Sequence, residues 1–219
     1  MKKLALLCAI LFTLPAAAQI PGPSIGFGVQ GDMINAKLNA QLKQIAGLPN
    51  GGFVDIALEE IYGLGLGGGV HLDIDLGLLS FRLSGDYITL SPDKEKFKAF
   101  IGKILPGVEF VSGGRVDFIT GTVNGKLTLL PLPVVKPYVT AGGGIANITT
   151  TDAKLRFNGI DLPPLKLLQS QTVGTLNAGV GVDFALGGLA LYGEIKVNKI
   201  FLKEGSGTFI PIATVGLTF

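Results

Sequence analysis

Residues 61–90 constrain the fold most, because they alternate between two kinds of side chain and then reverse the alternation. From Leu64 to Ile74 the even positions are apolar or glycine, whereas the odd positions up to Asp75 are glycine, histidine or aspartate. After the segment 76–78 the odd positions become apolar and the even ones polar. Side chains alternate between the two faces of a β-strand, so each half has one apolar face and one small or charged face.

The length of each half predicts that this pair of strands crosses a membrane. About ten residues suffice for a tilted strand to span a bilayer. The apolar face would then contact lipid, and the face with glycine and charge would line the interior of a barrel. A hairpin centred on residues 77–78 predicts three neighbouring pairs across the two strands: His71 with Ser84, Asp73 with Arg82, and Gly69 with Asp86.

The first 18 residues predict an export signal. A basic start at Lys2-Lys3 precedes the apolar run Leu4–Leu14, and Ala16-Ala17-Ala18 offers small residues for cleavage before Gln19. We therefore expect a signal peptide at 1–18 and a single barrel domain at 19–219. Cys8 is the only cysteine, so cleavage would leave a chain that forms no disulfide.

Charge and hydropathy agree with an exported membrane protein. The 18 Lys and Arg face 16 Asp and Glu, and two of the lysines belong to the signal peptide, so no basic excess favours nucleic acid as a partner. Mean hydropathy is high at +0.52. Beyond the signal, however, no stretch approaches the roughly 18 apolar residues of a membrane helix. The hydrophobicity is instead distributed by alternation.

The whole chain predicts an all-β fold, an eight-stranded antiparallel up-and-down transmembrane β-barrel. Short turns near 76–78, 131–135 and 186–188 alternate with long connections at 35–60, 91–114, 150–171 and 199–207, as in outer-membrane barrels with short periplasmic turns. Besides the hairpin, the predicted strands are Ser24–Ile34, Arg115–Leu130, Lys136–Thr149, Thr172–Ala185, Leu189–Asn198 and Thr208–Phe219.

The long connections carry apolar residues that a merely solvated loop would not need. Helical spacing predicts one helix between Ile34 and Ile45, and a second after Asp93 with an apolar stripe. These loops would either pack on one another as a cap or contact lipid or a partner. The loop residues concerned are Ile45, Phe53, Phe97, Ile101, Leu165 and Leu168. The stripe of the second helix consists of Phe97, Ile101, Ile104 and Leu105.

Two short motifs resemble those of a known family. The strand start Lys136-Pro137-Tyr138-Val139-Thr140 is similar to one common in small outer-membrane barrels of the OmpA/OmpX-like group. The ending 215–219 resembles the signal that the barrel-assembly machinery reads. The resemblance implies location in the outer membrane of a Gram-negative bacterium, contact with outer-membrane lipid and lipopolysaccharide, and an assembly signal formed by Val215, Leu217 and Phe219. A shared barrel does not by itself transfer an activity.

Charged residues on the inward faces predict a filled interior. Unpaired charges in a confined interior cost several kcal/mol each, so we expect ion pairs, first between Asp73 and Arg82 and then between Glu194 and a basic group across the lumen. The mixture of signs favours a barrel closed to ions over a selective pore. The predicted network comprises His71, Asp73, Asp75, Arg82, Asp86, Lys126, Asp183, Glu194 and Lys196.

The sequence offers little support for catalysis or metal binding. Ser84, His71 and nearby carboxylates would suit a hydrolase acting on lipid, yet no nucleophile motif accompanies them. One histidine and the Asp73/Asp75 pair are insufficient for a metal site. The glycine runs 65–69 and 142–144 lie within alternating strands, where glycine would make room for large side chains opposite. We therefore expect no catalytic residue, no metal and no cofactor.

These observations favour a non-enzymatic outer-membrane barrel with a mostly filled interior. Its role would be structural, or adhesion and binding of a surface ligand or host partner through the extracellular loops. The first alternative is a narrow pore or carrier for small or apolar solutes. The second is an enzyme that modifies lipid A.

Overall fold

The computed structural model describes residues 23–35, 61–104, 106–164, 170–202 and 208–219. Within them eight antiparallel strands close into a barrel in which every strand pairs with its neighbours along the chain, and the first pairs with the last. Three further strands and one helix lie in the long connections. The barrel strands are β1 (Ser24–Asn35), β2 (Leu64–Asp75), β3 (Leu79–Leu90), β5 (Val116–Thr128), β6 (Val135–Thr150), β9 (Gln171–Leu186), β10 (Leu189–Ile200) and β11 (Thr208–Thr218).

The register of β2 against β3 confirms the predicted hairpin. His71 pairs with Ser84, Asp73 with Arg82, and Gly69 with Asp86. The faces also agree with the alternation, because outward side chains such as Leu66 and Leu83 are more than half exposed to the lipid side, whereas Arg82 is buried. All eight barrel strands lie where the sequence predicted strands, with ends that differ by a few residues.

Short turns lie together at one end of the barrel. The turn after β2 is closed by the Leu76 N–H, which donates to the Leu79 carbonyl at 2.9 Å. Gly77 and Gly187 have φ values of 97° and 72° in their turns, a backbone region that favours glycine. The start of β1 lies at this same end, since Ser24 pairs with Asp75 beside the turn. The end of β11 lies there too, because the Phe219 N–H donates to the Phe27 carbonyl.

A cap of one helix and three short strands lies at the opposite end. Helix α1 (Lys94–Ile104) begins as predicted after Asp93, whose Oδ1 accepts the N–H groups of Glu95 and Lys96 at 3.0 and 3.2 Å. The strands β4 (Val108–Ser112), β7 (Lys154–Phe157) and β8 (Ile160–Asp161) form a separate sheet in the order β4-β7-β8, which the sequence did not predict. In the described segments, no helix has the length and apolarity to cross a bilayer.

The outer end of the barrel is filled by an apolar core. Inward positions near the outer ends of the strands carry apolar side chains, so the interior is polar only below them. Helix α1 adds Phe97, which is fully buried and lies 4.3 Å from Phe110 of β4 between ring centroids, and Ile101. We call this group the apolar plug: Ile34, Ile61, Tyr62, Ile88, Leu90, Phe97, Ile101, Val116, Phe118, Ala146, Ile148, Ala153, Leu155, Val173, Ile200, Ile210 and Ile212.

The buried Phe97 and Ile101 favour the first reading of the apolar loop residues, namely that loops pack on one another as a cap. The other residues of that prediction, Ile45, Phe53, Leu165 and Leu168, lie outside the described part of the chain. So do Leu105 of the predicted stripe, the predicted helix before Ile45 and the signal peptide.

Candidate functional site

Arg82 and Asp73 form an ion pair in the barrel interior. The Nε and Nη2 atoms of Arg82 each donate to one oxygen of Asp73 at 2.7 Å, which is the two-pronged geometry that suits a guanidinium. The Arg82 side chain also stacks over the ring of Tyr192, with its Cζ 4.0 Å from the ring centre. Cross-strand register explains the meeting of the two charges, because Asp73 and Arg82 are direct neighbours on β2 and β3.

A second ion pair joins strands that are not neighbours. Lys126 of β5 places its Nζ 2.5 Å from Oδ2 of Asp183 on β9, and β6 lies between these two strands. The same ammonium group lies 4.1 Å from the ring centre of Tyr138 on β6. Three strands of the wall are thereby linked on the interior side.

The surroundings of Glu194 differ from the sequence-based expectation. Its basic neighbour is Lys196 on the same strand, with Nζ 3.6 Å from Oε1, and not a group across the lumen. What reaches Glu194 from elsewhere in the barrel is the hydroxyl of Tyr138, which donates to Oε2 at 3.1 Å. Side chains two residues apart share a strand face, so this i, i+2 pair was available from the alternation alone.

Two further carboxylates of the predicted set have neutral donors as their hydrogen-bond partners. Asp86 accepts the side-chain amide of Gln30 at 2.6 Å and the hydroxyl of Thr120 at 3.1 Å. Asp75 accepts the backbone N–H of Gly77 at 2.9 Å and therefore stabilises the turn after β2. The predicted residues thus form several linked groups and not one continuous chain of ion pairs.

Sequence reasoning missed several interior residues that tie these groups together. The hydroxyl of Tyr192 donates to Oε1 of Gln30 at 2.7 Å, and the hydroxyl of Thr214 donates to Asp32 at 2.6 Å. Asp32 and Tyr192 are both buried. Their inward phase was readable from the alternation, but uncharged residues and an isolated carboxylate gave no reason to single them out.

Glycine makes room for the two interior tyrosines. A side chain at Gly216 would collide with the ring of Tyr192, and one at Gly181 with the ring of Tyr138. Each pair combines the largest and the smallest side chain within the narrow interior of an eight-stranded barrel. The sequence predicted this role for the runs 65–69 and 142–144, where a side chain at Gly65 would collide with Leu90 and one at Gly67 with Ile88.

The side chains of His71 and Ser84 form hydrogen bonds with different neighbours. His71 lies 3.0 Å through Nε2 from the hydroxyl of Thr218 and 3.4 Å through Nδ1 from that of Tyr192. The hydroxyl of Ser84 lies 2.8 Å from that of Thr122. Although their backbones pair, these hydroxyl and imidazole groups do not form the serine–histidine contact that a hydrolase would use. Among the residues that the structure describes, no group of three or more His, Cys, Asp or Glu side chains is arranged to hold a metal ion.

A cavity lies in the interior towards the short-turn end. A space of about 380 Å³ there is bounded by Asp73, Lys126 and Asp183 on its inner side and by turn residues such as Gly187 on its outer side. Above it follow the two interior tyrosines, the hydrogen bonds around Gln30 and Asp86, and then the apolar plug.

The sequence matches the family model described as "Outer membrane protein beta-barrel domain" over residues 4–216. The chain belongs to this family. It is accordingly a protein of the Gram-negative outer membrane. Barrels of this class have short periplasmic turns and longer external loops. No curated protein sequence matches the chain.

Solved structures of small barrels are similar to this family member at low identity. Neisserial surface protein A is 17% identical with a TM-score of 0.48, covering 90% of this chain and 98% of that one. The attachment invasion locus protein Ail of Yersinia pestis, solved with the heparin analogue sucrose octasulfate, is 11% identical with a TM-score of 0.40, covering 90% and 95%. The N-terminal β-barrel domain of OprF from Pseudomonas aeruginosa is 11% identical with a TM-score of 0.40, covering 89% and 96%.

Proposed function

We propose that this protein is a closed outer-membrane barrel that acts through its extracellular cap, in envelope structure, adhesion or binding. The observation that carries the proposal is the apolar plug. Inward residues at the outer strand ends, such as Ile34 and Ile148, belong to the same buried cluster as Phe97 of α1 and Leu155 of β7. The cap is therefore built on the barrel and closes its outer mouth.

The interior below the plug supports the same proposal. Eight strands enclose a space that side chains can fill. Here Tyr138, Tyr192 and the ion pairs of Arg82 and Lys126 occupy it. A solute crossing the barrel would have to displace paired charges and then an apolar core, and each of these steps costs several kcal/mol.

A folded cap suits a binding role because it reduces the entropy lost when a partner docks. Its outer surface carries charges held in defined positions. Arg156 and Asp161 pair at 2.7 Å on the β7–β8 hairpin, and this contact lowers the pKa of the Asp161 carboxyl. Partners of the surface would include outer-leaflet lipid and lipopolysaccharide, or a ligand presented from outside the cell.

The alternative of a narrow pore has one observation in its favour, the cavity of about 380 Å³ at the periplasmic end. Planar-bilayer recordings on the purified full chain separate the two readings. We expect no stable conductance from the wild type, with insertion verified by protease protection of the same preparation. A steady and reproducible channel would overturn the closed-barrel proposal and favour the pore.

We also propose that the protein is not an enzyme. The separate engagement of Ser84 and His71 supports this, because neither is placed to activate the other. Mass spectra of lipid A from cells with and without the protein should be identical. A lipid A species that lacks an acyl chain only when the protein is present would show that the alternative of a lipid-modifying enzyme is right.

The route to the membrane is a further part of the proposal. A signal peptide at 1–18 would be removed during export, and the barrel domain 19–219 would be inserted by the barrel-assembly machinery. N-terminal sequencing of the protein from outer-membrane preparations should begin at Gln19. A sequence that begins at Met1 would exclude cleavage.

A further inference from the structure

Two buried carboxylates, those of Asp32 on β1 and Asp86 on β3, lie close together in the barrel interior. The side-chain Nε2 of Gln30 donates to Oδ1 of Asp86 at 2.6 Å and to Oδ1 of Asp32 at 3.4 Å. The two Oδ1 atoms are therefore at most about 6 Å apart. Only 4% of Asp32 and 7% of Asp86 is exposed. Two negative charges thus share one neutral donor in a confined space.

Glycines on β2 allow these side chains to approach one another. Gly69 lies between Gln30 and Asp86 in a cross-strand row, and Gly67 is the neighbour of Asp32. A side chain at Gly69 would collide with Oδ1 of Asp86. Asp86 therefore reaches over Gly69 towards Gln30, and β2 places no side chain between them.

No basic side chain pairs with either carboxylate. Among the described residues, no nitrogen of Lys, Arg or His lies within 4.0 Å of an oxygen of Asp32 or Asp86. Across Thr214, the neighbour of Asp32 in the row is Glu194. The ammonium group of Lys196 lies 3.6 Å from Glu194 and offsets that charge. Three carboxylates and one ammonium group therefore give this cluster a net charge of −2 when all four are ionised.

Hydrogen bonds favour the ionised form of both carboxylates. Asp86 accepts the amide of Gln30 through Oδ1 and the hydroxyl of Thr120 through Oδ2 at 3.1 Å. Asp32 accepts the hydroxyl of Thr214 through Oδ1 at 2.6 Å. Donors directed at a carboxylate stabilise its charged state.

The second oxygen of Asp32 points to the kind of ligand that would balance these charges. Oδ2 of Asp32 is buried and has no hydrogen-bond partner among the described residues. A proton on this oxygen would create a buried O–H donor without an acceptor, which is itself unfavourable. A metal cation needs only the oxygen as a ligand, so it would satisfy Oδ2 and reduce the excess negative charge together.

We propose that this cluster binds one monovalent metal cation, Na⁺ or K⁺, with Oδ2 of Asp32 as a direct ligand and Asp86 as the second negative charge. Hard cations take oxygen ligands, which the two carboxylates and the hydroxyl of Thr214 supply. Ca²⁺ fits less well because it takes about six to eight oxygen ligands. Within the described segments, no three His, Cys, Asp or Glu side chains are arranged to hold such an ion. The site is independent of the role proposed for the cap.

The test measures whether the cation stabilises the folded barrel. The full-length protein is unfolded by urea in phosphatidylcholine vesicles at about pH 8, while NaCl or KCl replaces choline chloride at constant ionic strength. An ion that binds only the folded state raises the folding equilibrium constant about tenfold for each tenfold rise in its concentration above the dissociation constant. We expect this increase for Na⁺, K⁺ or both.

Asp32→Asn should abolish the response to both cations. In choline chloride this variant should be as stable as wild type or more stable, because asparagine still accepts the hydroxyl of Thr214 while one of two like charges is gone. Asp86→Asn should weaken the response several-fold, and it serves as the second variant if Asp32→Asn does not fold. The control is Asp161→Asn, which removes the same charge from the exposed pair with Arg156 and should respond as wild type does.

Thallium(I), a heavy substitute for K⁺, provides a direct readout. Crystals of the wild type soaked in it should give an anomalous-scattering peak beside Oδ2 of Asp32, and Asp32→Asn crystals should not. An equal response to Na⁺ and K⁺ in wild type and Asp32→Asn, or no thallium peak at Asp32, would refute the site. Stability that ignores both cations but rises between about pH 8 and about pH 6 would mean that a proton balances the carboxylates instead. A response to Ca²⁺ alone would also overturn the proposal.

Discussion

Removing the Arg82 side chain tests whether the interior ion pairs stabilise the barrel. In Arg82→Ala the carboxylate of Asp73 loses both hydrogen bonds of 2.7 Å, and Tyr192 loses the cation stacked on its ring. Removing one partner of a buried pair costs about 3–5 kcal/mol, because the other charge remains buried. A desolvated cation–π contact adds about 1–2 kcal/mol.

Two features of the structure reduce that sum. The Asp73 side chain is 15% exposed and borders the cavity at the short-turn end, so water can solvate the freed carboxylate. Lys126 borders the same cavity, and its positive charge attracts the freed carboxylate of Asp73. We therefore expect Arg82→Ala to lower the free energy of unfolding by roughly 2–4 kcal/mol.

The measurement is urea unfolding in lipid vesicles, followed by circular dichroism near 215 nm and by the shift of the folded band on unheated gels. The chain has no tryptophan, so fluorescence would report only tyrosine. The control is the double variant Asp73→Asn with Arg82→Met, which removes both charges and should recover most of the lost stability. If the free energy of unfolding of Arg82→Ala lies within about 0.5 kcal/mol of the wild-type value, the reasoning that the buried carboxylate of Asp73 needs Arg82 is refuted.

Three further predictions concern assembly, interior packing and the cap. Deleting Phe219 should lower the amount of folded protein in outer-membrane fractions, measured on unheated gels, because the terminal apolar residue is the predicted assembly signal. Gly216→Val should destabilise the barrel by several kcal/mol in the urea assay, because the new side chain would overlap the ring of Tyr192. Phe97→Ala should cost about 3–5 kcal/mol of cap packing and make the cap sensitive to external protease, because Phe97 is fully buried in the apolar plug.

Each of these changes has a matched control. Phe219→Tyr retains a terminal aromatic ring and should assemble as wild type does, and normal folded levels in the deletion would contradict the assembly signal. Gly193→Ala places a methyl group where no atom lies within 4 Å, so it should be neutral. Lys98→Ala should leave protease resistance unchanged, since Lys98 is exposed on the same helix as Phe97. Equal resistance in both helix variants would count against a packed cap.

The barrel and its register were predictable because side chains alternate with a period of two, so a strand can shift by one residue only if all its side chains change faces. Once the turn lies at 77–78, shifting the register by one residue would expose Asp73 and Arg82 to lipid. Their pairing was therefore determined by local sequence. The same reasoning placed α1, because Asp93 precedes a stripe that includes Phe97 and Ile101.

Contacts between strands that are not neighbours could not be predicted in this way. Lys126 and Asp183 meet because the whole barrel closes with a particular stagger, and no local pattern encodes that stagger. The apolar plug was missed for a different reason. The alternation predicts an inward face of glycine and polar residues, whereas apolar residues such as Ile88 and Ile200 continue the inward phase beyond the polar region. Strands of two to five residues, such as β8, are too short for alternation to be recognised.

The pairing of β1 with β11 has a consequence for how the barrel is completed. The other seven strand pairings of the barrel join strands that are consecutive barrel strands in the chain. The seam between β1 and β11 joins the first strand to the last, with Gly28 paired with Thr218, so it closes a loop that contains nearly the whole chain. Among the described residues it joins Gly28–Ile34 to Ile212–Thr218 and adds one more backbone pair, Phe27 with Phe219, whereas β1 pairs with β2 along its full length.

Closing a loop some twenty times longer than a hairpin costs roughly 2–3 kcal/mol more in chain entropy. Fewer backbone pairs offset that cost at this seam than at the β1–β2 seam. We therefore expect the β1–β11 pairing to form last during folding and to open first. A barrel in which it has not yet formed would present the unpaired edges of β1 and β11 side by side.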